Sequence, residues 1–253
     1  MRTVPYVVVA ALFALGIAAH LSAAEPAAAP AAPANQQAMR LETDTPEAGA
    51  VRYLLYLPPG YAKAKKPWPL VLFLHGRGES GQDLMIVGKH GPPKLIAAGK
   101  DFPFICAAPQ CPKSTWWSHA DRVAGLVALL DHLQKTYRVD PDRVYVTGLS
   151  MGGFGTWALA ANQPKRFAAL APICGRGDTA TAERFAHVPT WVFHGEADRT
   201  VPVQNSKDMV EAMRKAGGQP KLTLYPGVGH DSWTRTYANP DFWKWLLAQR
   251  RKK

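Results

Sequence analysis

The sequence predicts an α/β fold: a mostly parallel central sheet with helices on both faces. Three observations carry this. From residue 68 onward, short apolar runs rich in Val, Leu, Ile and aromatics alternate with stretches of helical character, the order expected of βα units and parallel strands. Gly148-Leu149-Ser150-Met151-Gly152 falls where one such strand gives way to a helix. Residues 39–250 suffice for one domain with a sizeable core, and no internal repeat divides them.

The elements follow in order. Met1-Arg2 supplies a positive start, Val4 to Ala19 is uncharged and apolar, and Ser22-Ala23-Ala24 fits a small-residue cleavage site. This predicts a signal peptide over residues 1–24, cleaved after Ala24, and a secreted or periplasmic protein. The run is short against the roughly 20 residues of a membrane span, so no stable membrane anchor is expected. Residues 25–38 begin with repeated Pro and Ala and are expected to form an extended linker. Residues 39–43 and 51–57 read as an antiparallel pair opening the sheet. Further strands are expected at 68–74, 104–108, 142–147, 168–173, 188–195 and 221–225, and helices near 92–98, 119–136, 152–162, 203–216 and 240–250. Asp140-Pro141-Asp142 is expected to break the chain ahead of the strand at 142–147. The final residues 251–253 form a basic tail; with Arg250 they carry four cationic side chains, expected to be solvated.

The formal net charge is +11. Loss of residues 1–24 removes Arg2 and no acid, leaving +10. No basic helix or nucleic-acid motif accompanies this charge, so nucleic acid is not an expected partner; attraction to acidic polysaccharide is an equal reading. The three cysteines are Cys106, Cys111 and Cys174. Cys106 lies in an apolar run and is expected to be a buried thiol. Cys111 and Cys174 both follow strands, which makes a Cys111–Cys174 disulfide the candidate bridge of an exported protein. No His/Cys spacing matches a zinc site, so no metal is expected, and no motif asks for a cofactor.

The chemistry centres on Ser150. A strand, a sharp turn and a helix around Gly-x-Ser-x-Gly make a nucleophile elbow, which lifts the hydroxyl clear of the sheet at a helix N-terminus. A serine hydroxyl needs a base, and the base an orienting carboxylate. Downstream, Asp198 follows the strand ending near Gly195, with Glu196 as competitor. His230 lies in the glycine-rich loop after 221–225, and His194 is its rival, placed at a strand end where it more naturally packs or bonds locally. The strand 68–74 runs into His75-Gly76-Arg77-Gly78, the context for one oxyanion-binding amide. Arg77 is the expected donor, Gly78 its alternative, and Met151 the second. His75 reads as a structural hydrogen-bonder. Trp116, Trp117 and Trp233 fall near these loops, and each either contacts substrate or packs beneath a loop.

These stretches resemble α/β-hydrolases of the carboxylesterase, feruloyl-esterase and dienelactone-hydrolase-like group, and are similar to the catalytic domain of prolyl-oligopeptidase-type hydrolases. The likeness rests on Leu72–Gly81, Val144–Gly153, Val192–Asp198 and Gly229–Asp231. It implies an α/β-hydrolase fold and a Ser150-His230-Asp198 triad. Two departures stand out: dienelactone hydrolases carry cysteine at the elbow, and prolyl oligopeptidases carry a propeller that this chain lacks. Residues 175–187 are too few for the cap domain that many lipases insert there, so an open site is expected. The resulting expectation is an exported serine esterase on carboxylic esters, with acyl or feruloyl groups of polysaccharides as substrate. A peptidase or amidase, and a non-catalytic wall-binding protein, are the rival readings.

Overall fold

The structure, a computed structural model, describes residues 35–43 and 49–251. The expected signal peptide, the Pro/Ala stretch to residue 34, and Lys252 and Lys253 lie outside the described residues. Eight strands form one sheet: β1 (Gln37–Leu41), β2 (Val51–Tyr56), β3 (Trp68–Leu74), β4 (Ile105–Pro109), β5 (Val139–Leu149), β6 (Ala169–Ile173), β7 (Trp191–Gly195) and β8 (Lys221–Tyr225). Their order is β1-β2-β4-β3-β5-β6-β7-β8. β1 and β2 pair antiparallel, and β2 meets β4 antiparallel. Every later pairing is parallel. This is the α/β-hydrolase sheet. β5 lies between β3 and β6 and parallel to both, so the C-terminal ends of the three lie side by side.

Strand β3 shows why the sheet lies in the middle of the molecule. Leu70 through Leu74 are wholly buried, because helices cover both faces. Leu70, Leu72 and Leu74 belong to one core, and Val71 and Phe73 to the other, as the two-residue period of a strand dictates. The first core is closed by α2 (Ala120–Thr136), α3 (Met151–Asn162) and α4 (Gln204–Lys215). The second is closed by α1 (Gly91–Ala97), α5 (Trp233–Ala238) and α6 (Pro240–Ala248). In α4 the buried residues are Ser206, Met209, Val210 and Met213, the stripe that a 3.6-residue period produces. Between β6 and β7 there is one 3-10 helix, Thr179–Phe185, packed on α4. No cap domain stands there.

Three expectations need correction. The linker ends sooner than residue 38: Gln37 is already in β1, and Gln36, 5% exposed, donates from Nε2 to Pro93 O at 3.1 Å. The break at Asp140-Pro141-Asp142 is a bulge inside β5. Trp68 pairs with Val139, and the ladder resumes at Leu70 with Val144. Asp140 closes that bulge by accepting from Asp142 N at 3.0 Å and Arg143 Nε at 2.8 Å. Finally, Arg250 and Arg251 are anchored. Arg251 pairs with Asp142 at 3.0 Å, and Arg250 with Asp140 at 3.4 Å.

Candidate active site

Ser150 stands between β5 and α3 with φ 52° and ψ −117°, a left-handed backbone that a non-glycine residue holds at a cost on the order of 1–3 kcal/mol. Its surroundings fix it there. Ser150 N donates to Ile173 O at 2.9 Å, and Ser150 O accepts from Phe154 N at 3.1 Å. The turn closes only because its neighbours lack side chains. A Cβ on Gly152 would lie 1.9 Å from Leu74 O, and one on Gly148 2.4 Å from Gly152 O. The helix thus starts in direct contact with the ends of β3 and β5.

The three residues far apart in sequence meet at this turn. His230, in the loop after β8, places Nε2 2.9 Å from Ser150 Oγ. Its Nδ1 lies 2.7 Å from Asp198 Oδ2. Asp198 is 7% exposed. Its other oxygen accepts from the amides of Thr200 at 2.8 Å and Val201 at 3.0 Å. Burial alone would raise this carboxyl; the bonds from His230 and these two amides outweigh it and hold Asp198 below the ordinary carboxylate range. The carboxylate is therefore ionised, so His230 Nδ1 donates to it and Nε2 is left to accept the serine proton. Glu196, the sequence competitor, is exposed.

The loop after β3 is held from several directions. His75 is fully buried, and burial pushes it down to about 4, so it is neutral. Its Nδ1 donates to Gly76 O at 2.6 Å, and its Nε2 accepts from Cys111 N at 2.9 Å. Glu79, 3% exposed, accepts from Gly76 N at 3.1 Å. Arg77 and Met151 each open a helical turn, Arg77–Glu79 and α3, so their amides are donors without an acceptor inside the turn. The Arg77 side chain is engaged elsewhere, donating to Thr115 O at 2.8 Å and Lys113 O at 2.5 Å and lying 5.2 Å from the Trp116 ring centre.

The three tryptophans separate. Trp116 is exposed and stacks on Phe154 at 6.0 Å, beside a groove of about 540 Å³ lined by Ser118, Phe154, Arg176 and Asp178. Trp117 is 2% exposed and donates from Nε1 to His75 O at 3.1 Å. It packs beneath the loop and is corrected from a substrate contact to a structural residue. Trp233 is half-buried, edge-on to both His90 and His230 at 5.5 and 5.3 Å.

The Cys111–Cys174 bridge is also corrected, since both thiols are free. Strands β4 and β6 are three spacings apart in the sheet, about 14 Å, beyond the ~7 Å Cα limit of a disulfide. The two thiols also sit in different cores. Cys174 instead borders the serine site. Its donor atom and those of Asp198 and His230 lie within 4.8 Å of one another. Burial pushes this thiol up to about 12, so it is protonated and a poor metal ligand.

Sequence reasoning missed Glu79, although its position three residues after the loop's Gly76 is the spacing of a capping box. It read His194 as packing or bonding locally, as its contacts with Asp198, Val201 and Ser206 bear out, but did not single out Asp198 as its partner. Ser206, twelve residues on, carried no signal.

Residues 107–240 match the dienelactone hydrolase family. The chain belongs to that family. It is a carboxylic ester hydrolase of α/β-hydrolase fold, and this dienelactone hydrolase relative carries serine at its elbow. The chain is 28% identical to NocK of Nocardia uniformis subsp. tsuyamanensis, classed as an esterase, over 91% of this chain and 83% of that one. The crystal structure of a thermostable esterase superposes with TM-score 0.76 at 33% identity, covering 87% of this chain and 64% of that one. A bifunctional acetylxylan esterase/xylanase of Neocallimastix patriciarum is 27% identical over 66% of this chain, which spans 24% of that protein.

Proposed function

We propose that this protein is an exported serine esterase using Ser150, His230 and Asp198. The observation that carries the reading is the continuous chain from Ser150 Oγ to His230 Nε2 at 2.9 Å and from His230 Nδ1 to Asp198 Oδ2 at 2.7 Å. Ser150 attacks the ester carbonyl as His230 takes its proton, and His230 then protonates the departing alcohol. Asp198, ionised throughout, fixes the imidazole and stabilises its cationic form. The amides of Arg77 and Met151 serve the developing oxyanion. Water, activated by His230, then releases the acid from the acyl-enzyme.

The substrate reading is acyl or feruloyl esters on polysaccharide. It is supported by the N-terminal signal pattern, by the short link between β6 and β7, and by the exposed Trp116–Phe154 stack. The likeness to an acetylxylan esterase/xylanase adds to it. The test is hydrolysis of p-nitrophenyl acyl esters and methyl ferulate by the protein and by Ser150→Ala. Substitution is expected to lower kcat by roughly 10³-fold or more, with the fold retained by circular dichroism. A folded Ser150→Ala protein with unchanged turnover would exclude the mechanism. Faster turnover of peptide amides than of esters would exclude the substrate class.

A further inference from the structure

Asp198 Oδ2 serves two imidazoles. Besides His230 Nδ1 at 2.7 Å, it meets His194 Nε2 at 3.1 Å. His194 is the penultimate residue of β7 and has no exposed surface. Its Nε2 also faces Val201 O at 2.9 Å. A carboxylate and a carbonyl both only accept, so Nε2 carries the hydrogen. Nδ1 lies 2.7 Å from Ser206 Oγ, also fully buried. Burial, the largest influence on His194, lowers it and keeps it neutral, so Nδ1 holds a lone pair and Ser206 donates to it. A directed chain runs from Ser206 through His194 to the carboxylate.

We propose that His194 is a positioning residue of the esterase reaction: its Nε2–H holds Asp198 in register with His230 and draws charge from the oxygen that the base uses. The inference rests on the reading of Ser150, His230 and Asp198 given above. Loss of the donor leaves Oδ2 more negative toward His230 and stabilises the imidazolium. The base then keeps its proton to higher pH, and the acid limb of kcat/KM moves up. The other groups around the pair are Cys174 at the end of β6, Asp231 beside the base, and His90 with Glu79 behind Trp233. Glu196 and Arg199 flank Asp198 on its own loop and are exposed. None of these changes when residue 194 does.

His194→Asn and His194→Gln divide the imidazole between them. The Asn amide reaches where Nδ1 was and keeps Ser206; the Gln amide reaches where Nε2 was and keeps Asp198. The Asn variant is expected to move the acid limb up by about 0.5–1 pH unit and lower plateau kcat/KM roughly 10-fold, while Gln restores both. If the Asn variant does not fold, His194→Met is the second donor-free protein. The His230 titration, followed by NMR on histidine-labelled protein, moves with the acid limb and requires no turnover. Equal losses of melting temperature in both variants, with the His230 titration unmoved, would reduce His194 to packing and overturn the proposal. A moved titration in proteins that hydrolyse no ester would support the coupling and overturn the esterase mechanism instead.

Discussion

Two buried imidazoles, His75 and His194, carry their protons on opposite ring nitrogens, each set by the carbonyl it faces. Gly76 O fixes the proton of His75 on Nδ1, and Val201 O fixes that of His194 on Nε2. Both are lowered chiefly by burial, His75 to about 4. Unfolded, each would titrate near 6.5. As pH falls below that value the unfolded chain binds protons that the folded one refuses, so stability is full above pH 6.5 and declines toward pH 4. His75 alone is expected to remove about 3 kcal/mol across that window. Urea unfolding at pH 7 and pH 4.5 measures the decline, and His75→Gln should flatten it. Asp198 acts with the opposite group type. Its depressed carboxyl contributes stability above the ordinary carboxylate range, lost only as pH falls further. Of these residues, Ser150, His230 and Asp198 were legible because a motif and a fixed order announce them. Glu79 and His194 were not, because their roles depend on burial, and a linear sequence does not report what surrounds a side chain.

At the scale of elements, the Arg77 side chain joins the turn Arg77–Glu79 to the loop over residues 111–117, beside the bonds that Cys111 and Trp117 make to His75. The Arg77 guanidinium holds Lys113 O and Thr115 O and faces Trp116, while the amide of residue 77 is untouched by the side chain's identity. Arg77→Ala is therefore expected to loosen Trp116 and leave in place the backbone amide proposed to serve the oxyanion. Steady-state kinetics should show kcat/KM for methyl ferulate reduced roughly 10-fold and that for p-nitrophenyl acetate by less than about 3-fold. Equal losses on both esters would place the effect on the oxyanion turn. The long elements were readable from periodicity: the predicted strand 68–74 is β3 to the residue. Two elements were not. α5 has six residues, too few to show a period. The bulge in β5 lies behind Pro141, and proline reads as an end although the ladder resumes beyond it.

For the whole molecule, the last described residues close against the bulge near the start of β5. Arg250 and Arg251 pair with Asp140 and Asp142, and Arg251 N donates to Asp142 O at 2.9 Å. These pairs are partly exposed, so the double change Arg250→Ala with Arg251→Ala is expected to cost no more than about 1 kcal/mol, and less at high salt. Melting temperatures at 20 mM and 500 mM NaCl check this: the gap between the two proteins should narrow as salt rises. Sequence composition read this segment as a solvated basic tail because the acids that bind it lie more than a hundred residues away.

The order of the elements along the chain also decides how late the proposed site is completed. Ser150 leaves the ribosome eighty residues before His230, and the strands that shape its turn, β3, β5 and β6, precede β7 and β8 in the chain. A chain ending after β6 would carry Ser150 but neither Asp198 nor His230. On the proposed mechanism reactivity is completed only with the loop after β8, and a chain truncated before that loop is expected to be inert toward esters.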